Sequence, residues 1–270
     1  MKILKIMCIG AVMAILVTSA SGQLLSKYEF EGSWNNSPAA KSTMAITNYG
    51  GVLGVPGTDP GADRTWGGSG PLKDANIQPS TAWLQVGYDT ALDASTGGIS
   101  TQMTIGSWVK YTSTSTSMQR IMGRGYDWYM DCNTDAGTHG QYVQFVVRDT
   151  AASAVVISLQ GDVNISDGKW HHVAGTWDTT TGVQNLYIDG LLDATQNTGV
   201  KVGIVNAGRY AIGARASSAT VGTSIYRGRV DDVRVYNTVE DISTVIPEPT
   251  TIALLSLGTT LFFRRRRSLK

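Results

Sequence analysis

Between Gln23 and Ile246 the chain has no stretch whose apolar residues recur at the three-and-four spacing of an amphipathic helix. Short runs rich in Val, Ile, Thr and Tyr alternate instead with clusters of Gly, Asn and Asp, which is the pattern of a β-sandwich. Strands are expected over residues 25–30, 101–111, 119–123, 141–148, 154–159, 170–178, 184–188, 210–212 and 228–236. Asp189-Gly190 separates Leu186-Tyr187-Ile188 from Leu191-Leu192 and predicts a type I′ hairpin, because that turn needs φ > 0 at both central residues. Val230, Val233 and Val235 break strict alternation, and a bulge near Asp231-Asp232 would return all three to one face. Residues 35–70 read as a long surface segment only partly ordered into strands, and 112–117 as a small polar loop.

Both ends differ from this middle. Lys2 and Lys5 precede an apolar stretch over 6–17, followed by Thr18-Ser19-Ala20-Ser21-Gly22. Basic start, apolar centre and small residues make 1–22 a secretory signal peptide, with Ala20 and Gly22 offering a small-x-small cleavage site before Gln23. At the other end, Pro247-Glu248-Pro249 leads into an uncharged apolar run over 250–263 and then Arg264-Arg265-Arg266-Arg267. A helix of that run would be about 21 Å long, short of a hydrocarbon core of about 30 Å. The arginines mark the cytoplasmic side. This tail resembles the PEP-CTERM sorting signal of bacterial surface proteins in all three of its parts. The resemblance implies an exosortase as processing partner and contact with the membrane through the tail, at least transiently. The expected division is 1–22 signal peptide, 23–244 exported domain and 245–270 sorting tail.

Seven of the 22 basic residues and one of the 21 acidic residues lie in the two ends, which leaves 15 and 20 and a net charge of −5 for the middle. An acidic domain lacks the basic footprint that a nucleic-acid partner requires. Cys132 is the one cysteine outside the signal peptide, so no intrachain disulfide supports the domain; a buried, small apolar role is expected for it.

Several segments, in order, resemble a LamG-like jelly-roll domain of the concanavalin A-like lectin/glucanase superfamily. They are Tyr28-Glu29-Phe30-Glu31-Gly32, then Met103-Thr104-Ile105-Gly106-Ser107-Trp108-Val109-Lys110, then Asp167 to Asp178 with Trp170, His171, His172, Val173 and Trp177, then Leu186 to Gly190, and lastly Arg229-Val230-Asp231-Asp232-Val233-Arg234-Val235-Tyr236-Asn237. The resemblance implies an all-β, antiparallel two-sheet jelly-roll sandwich. It also implies a calcium site in which Asp231 takes the family's aspartate position and loop oxygens such as that of Asn36 complete the shell, although many relatives carry an aspartate where Asn36 stands. Calcium takes six to eight hard oxygens.

No catalytic residues are assigned. Glucanases of this fold use paired carboxylates, often as Glu-x-Asp-x-Glu on one strand, and the four glutamates here, Glu29, Glu31, Glu240 and Glu248, do not form that motif. Asp231 and Asp232 are adjacent, so their side chains diverge on a regular strand. His171 and His172 would likewise point to opposite faces, one satisfied in the core or at a hairpin and one exposed. A carbohydrate site wants aromatic rings beside polar groups. The best cluster is Arg124-Gly125-Tyr126-Asp127-Trp128-Tyr129, with Tyr126 and Trp128 as candidate ligand contacts, although Trp128 and Tyr129 also fit the start of a core strand. The function expected from these readings is a non-catalytic, surface-sorted module binding glycan or extracellular matrix, whether extracellular polysaccharide or a protein partner. The alternatives are a structural matrix protein and a divergent glycoside hydrolase.

Overall fold

The structure is a computed structural model, and it describes residues 22–30, 37, 40–42, 44, 46–49, 83–111, 118–134, 140–149, 155–199, 208–216 and 222–245. Residues 1–21 of the signal peptide, Asn36, the loop over 112–117 and the sorting motif with its apolar run and arginines lie outside the described residues. The strands are β1 (Leu24–Tyr28), β2 (Thr47–Tyr49), β3 (Trp83–Gly87), β4 (Gln102–Tyr111), β5 (Gln119–Arg124), β6 (Trp128–Thr134), β7 (Gln141–Asp149), β8 (Val155–Asn164), β9 (Trp170–Asp178), β10 (Val183–Ile188), β11 (Leu191–Asn197), β12 (Tyr210–Ile212), β13 (Arg215–Ala216), β14 (Gly222–Thr223) and β15 (Gly228–Tyr236). One short helix, α1 (Ile242–Val245), follows.

Two antiparallel sheets make the sandwich. One has six strands in the order β1-β15-β4-β9-β10-β11, and the other seven in the order β2-β3-β12-β5-β6-β7-β8. The inner faces follow from period-two alternation. In β6 Trp128, Met130 and Cys132 point into the core; in β7 Val143, Phe145 and Val147 do; in β9 Val173 and Trp177 do. Gly175 holds the inward position between Val173 and Trp177. A Cβ there would stand 2.6 Å from the Phe145 ring, so glycine lets the opposite sheet press a phenylalanine against β9. Cys132 is fully buried and unpaired with any other cysteine, and burial pushes its thiol well above the usual range.

The hairpin and bulge expected from the sequence are both present. Asp189 and Gly190 have φ of 52° and 81°, as a type I′ turn demands. The β15–β4 register shifts between Asp231 and Arg234, with Asp232 at φ 45°, and Val230, Val233 and Val235 all reach the core. Arg234 ties this bulge by a bidentate pair to Asp232, Nε to Oδ1 at 3.0 Å and Nη2 to Oδ2 at 2.7 Å.

The two sheets are also joined along one side. Asp193 of β11 accepts from the backbone N–H groups of Asp162 (3.1 Å to Oδ2) and Val163 (3.2 Å to Oδ1) in β8, linking the last strands of the two sheets. The outer face of the six-stranded sheet carries a second small apolar cluster. Ala174 and Tyr236 meet Ile242 and Val245 of α1, with Leu24 and Tyr187 packed beside them.

Candidate functional site

Outward residues of the seven-stranded sheet are those out of phase with the core: Tyr129 and Asp131 on β6, and Arg148 on β7. The β5–β6 turn, Gly125-Tyr126-Asp127, brings these to one end of the sheet. It is tied down by the Asp127 N–H donating to the Arg124 carbonyl (2.9 Å) and the Arg148 N–H donating to the Asp127 carbonyl (2.7 Å). Asp127 Oδ2 accepts from the Gly208 N–H at 2.8 Å, and Arg124 Nε donates to the Gly208 carbonyl at 2.9 Å. Arg124 is also paired with Asp93 at 2.8 Å.

Tyr126 stands out from this turn, 48% exposed, while the tryptophans at 83, 128 and 177 are fully buried. Two guanidiniums lie over its ring. Arg215 from β13 is 4.6 Å from the ring centroid and Arg148 from β7 is 5.1 Å away. Arg215 Nη1 also donates to the Tyr126 hydroxyl at 2.5 Å. A third arginine lies deeper. Arg120 covers the Tyr129 ring at 3.6 Å, and its Nε donates to Asp131 Oδ1 at 2.8 Å. Burial pushes the Asp131 carboxyl above its ordinary range, and the adjacent Arg120 charge pulls it back. A second pairing continues along the rim: Arg209 lies 4.3 Å over the ring of Tyr88, which is 55% exposed.

The two residues expected from sequence to contact a ligand therefore part company. Tyr126 is exposed at the rim. Trp128 is turned into the core with its ring centroid 5.6 Å from that of Tyr210, so it offers no surface to a ligand. Arg148, Arg215, Arg209 and Tyr88 were not found from sequence. Tyr126 and Arg215 are 89 residues apart. Only the phase of Arg148 against Val143, Phe145 and Val147 was legible as an outward position.

Asp231 is buried, 1% exposed, and sits in the β15 bulge opposite Trp108. Among the described residues no group of three or more His, Cys, Asp or Glu side chains converges. Glu29 pairs with Lys27 at 2.5 Å, and Glu240 accepts from the Gly22 N–H at 2.7 Å, so each is engaged in local structure.

The histidines do face opposite ways, but neither is fully exposed. His171 is half-buried beside the hairpin. Its Nδ1 meets Asp189 Oδ2 at 2.8 Å and its Nε2 meets Asp167 Oδ1 at 3.0 Å. Burial alone would lower its pKa, but the two carboxylates outweigh that and raise it. His172 is 1% exposed on the outer face of the six-stranded sheet, edge-on to Trp108 at 5.4 Å, and burial and then Arg234 lower its pKa to about 4. The two push stability in opposite directions. The raised pKa of His171 gives stability that is present below the unfolded value and lost as pH rises through the folded one. The lowered pKa of His172 costs stability as pH falls from about 6.5 towards 4, by about 3 kcal/mol in all. Urea unfolding across this range should show that acid loss in the natural protein and a smaller one in His172→Asn. Equal losses in the two would mean that His172 takes up its proton without penalty.

A family description, the concanavalin A-like lectin/glucanases superfamily, matches residues 83–241, more than half of the chain. The chain belongs to this superfamily. The fold is shared with solved structures of low identity. The receptor binding domain of botulinum neurotoxin C/D mosaic serotype superposes with a TM-score of 0.58 at 11% identity, over 83% of this chain and 50% of that one. The binding domain of Paraclostridial Mosquitocidal Protein 1 gives 0.53 at 14% identity, over 83% and 51%. Domain 4 of AbnA, an extracellular GH43 arabinanase from Geobacillus stearothermophilus solved with arabinotriose, gives 0.51 at 15% identity, over 83% and 97%. This chain thus spans about half the length of the two toxin chains. No curated protein matches it. Residues 245–267 match the PEP-CTERM protein-sorting motif. The lectin-like domain is therefore carried by an exported, surface-sorted chain, tethered by its C-terminal tail until exosortase processing.

Proposed function

We propose that this domain is a non-catalytic glycan-binding module displayed at the cell surface, and that it takes its ligand at the rim around Tyr126. The observation that carries the reading is the exposure of Tyr126 while two guanidiniums hold it in place. A tyrosine fixed in this way presents an amphipathic contact surface at little entropic cost. Polar donors beside it supply orientation. That the arabinanase domain of the same fold was solved with arabinotriose makes saccharides the first class to test.

The test is binding of the full-length, detergent-solubilised protein to a panel of polysaccharides, with Tyr126→Ala alongside. The variant is expected to bind at least about tenfold more weakly. Its unfolding midpoint should stay close to that of the natural protein, because Tyr126 contributes little to the core. Binding that survives Tyr126→Ala unchanged would move the site elsewhere. A folded protein that retains no polysaccharide at all would leave the domain as a structural spacer of a surface layer.

A further inference from the structure

The exported middle of the chain is acidic, with a net charge of −5, yet the rim around Tyr126 is locally cationic. We propose that this rim selects an acidic saccharide, a chain of uronic acids whose carboxylates are taken up by Arg148 and Arg215. The proposal rests on the glycan-binding reading above and narrows it to a ligand class.

Four observations carry it. Among the described residues, neither Arg148 nor Arg215 forms an ion pair, and the Nε of each is buried with no hydrogen-bond partner. The buried Nε atoms stay without a partner, and it is the outer Nη donors, unpaired with any described carboxylate, that a bound anion would meet. The carboxylates of the surrounding elements are engaged elsewhere. Asp131 is held by Arg120, Asp93 by Arg124, and Asp127 Oδ2 by the Gly208 N–H. Arg215 senses Asp131 through space alone.

The third observation is the placement of two guanidiniums against one ring, 4.6 and 5.1 Å from its centroid. A cation–π contact uses no N–H donor, so each group keeps donors that can fork onto a carboxylate. Tyr126 thus acts as a post that sets two such groups in place, and its hydroxyl fixes Arg215 further. The fourth is extent. Gly87 of β3 pairs with Tyr210 of β12, Tyr210 pairs with Arg124 of β5, and Trp128 of β6 pairs with Val147 of β7. Tyr88, Arg209, Tyr126 and Arg148 therefore succeed one another along one end of the sheet. From β3 to β7 this covers four strand spacings, about 19 Å. The arginines within it, from Arg209 beside β12 to Arg148 on β7, span three of those spacings, about 14 Å, which suits a polymer with repeated charges better than a single small anion.

The experiment is calorimetric titration of the full-length protein in mild detergent. The probes are polygalacturonate, its methyl ester, dextran sulfate and a neutral glucan, at about 50 and about 500 mM NaCl. Polygalacturonate is expected to bind, more weakly at the higher salt, and the methyl ester at least about tenfold more weakly. Arg148→Gln and Arg215→Gln should each weaken polygalacturonate by about tenfold. Arg148→Lys should recover only part of that loss, since lysine lacks the planar fork. Thermal unfolding of each variant controls for folding. The ester and salt comparisons on the natural protein stand even if a variant fails to fold.

Equal affinity for the acid and its ester would overturn the proposal, as would tighter binding of dextran sulfate than of polygalacturonate. Tight binding of neutral glucan with none of polygalacturonate would remove the acidic class and leave the glycan reading intact. Binding of none of the four probes by a folded protein would count against both.

Discussion

Replacing Asp131 by alanine is expected to lower the unfolding free energy by about 3–5 kcal/mol. Arg120 and Asp131 are 1% and 0% exposed, and they face each other through Nε–Oδ1 at 2.8 Å and Nη2–Oδ2 at 3.4 Å. Without the carboxylate, the Arg120 guanidinium keeps the Gly125 carbonyl at 2.5 Å and the Tyr129 ring at 3.6 Å, but no countercharge among its described contacts. An uncompensated buried charge is the expensive outcome, whereas removing both charges together need not be. Arg120→Met combined with Asp131→Leu should therefore recover most of the loss. Urea unfolding followed by tryptophan fluorescence measures both. A loss under about 1 kcal/mol in Asp131→Ala would mean that water enters and solvates Arg120, and that this part of the sheet is less dry than it looks.

Trp128→Ala is expected to cost a similar amount, about 3–5 kcal/mol, because it empties a large volume of packed core. Trp128 is fully buried and tilted against Tyr210. Its near neighbour Tyr126 should behave in the opposite way, with a stability change within about 0.5 kcal/mol on replacement by alanine. The pair of measurements separates core from surface across two residues of chain. If Trp128→Ala left stability almost unchanged while weakening ligand binding, the inward placement of that ring would be wrong.

That contrast shows how far the chain could be read without its structure. Trp128, Met130 and Cys132 share one parity, as do Val143, Phe145 and Val147, so the inward phase of β6 and β7 was present in the pattern. For 126–129 the pattern left a core strand and an aromatic ligand cluster both open. The strands that match the expected spans, β9, β12 and β15 among them, carry β-branched or aromatic residues at regular intervals. Those missed were of another kind. Strand β11, foreshadowed only by Leu191-Leu192 as the far arm of the hairpin, reads Leu-Leu-Asp-Ala-Thr-Gln-Asn and is mostly exposed, an edge strand with little to bury. Strand β3 is a five-residue run, which periodicity alone does not distinguish from a buried helical segment. Strands β13 and β14 have two residues each. The site was the least legible part, because the strand order brings Tyr88, Arg209, Tyr126, Arg148 and Arg215 together from four separate regions of sequence. Pair spacing along a chain carries no trace of such an assembly.

The docking of α1 on the six-stranded sheet also sets how far the protein can stand from its membrane before it is cut free. Val245 is fully buried, and the apolar run of the tail begins at Thr250. Four residues, Ile246 to Pro249, lie between them, so even fully extended the five steps from Val245 to Thr250 reach no more than about 18 Å. The leash is thus shorter than the domain it holds. It leaves from the outer face of the six-stranded sheet, where Val245 is docked, while the Tyr126 rim belongs to the opposite sheet.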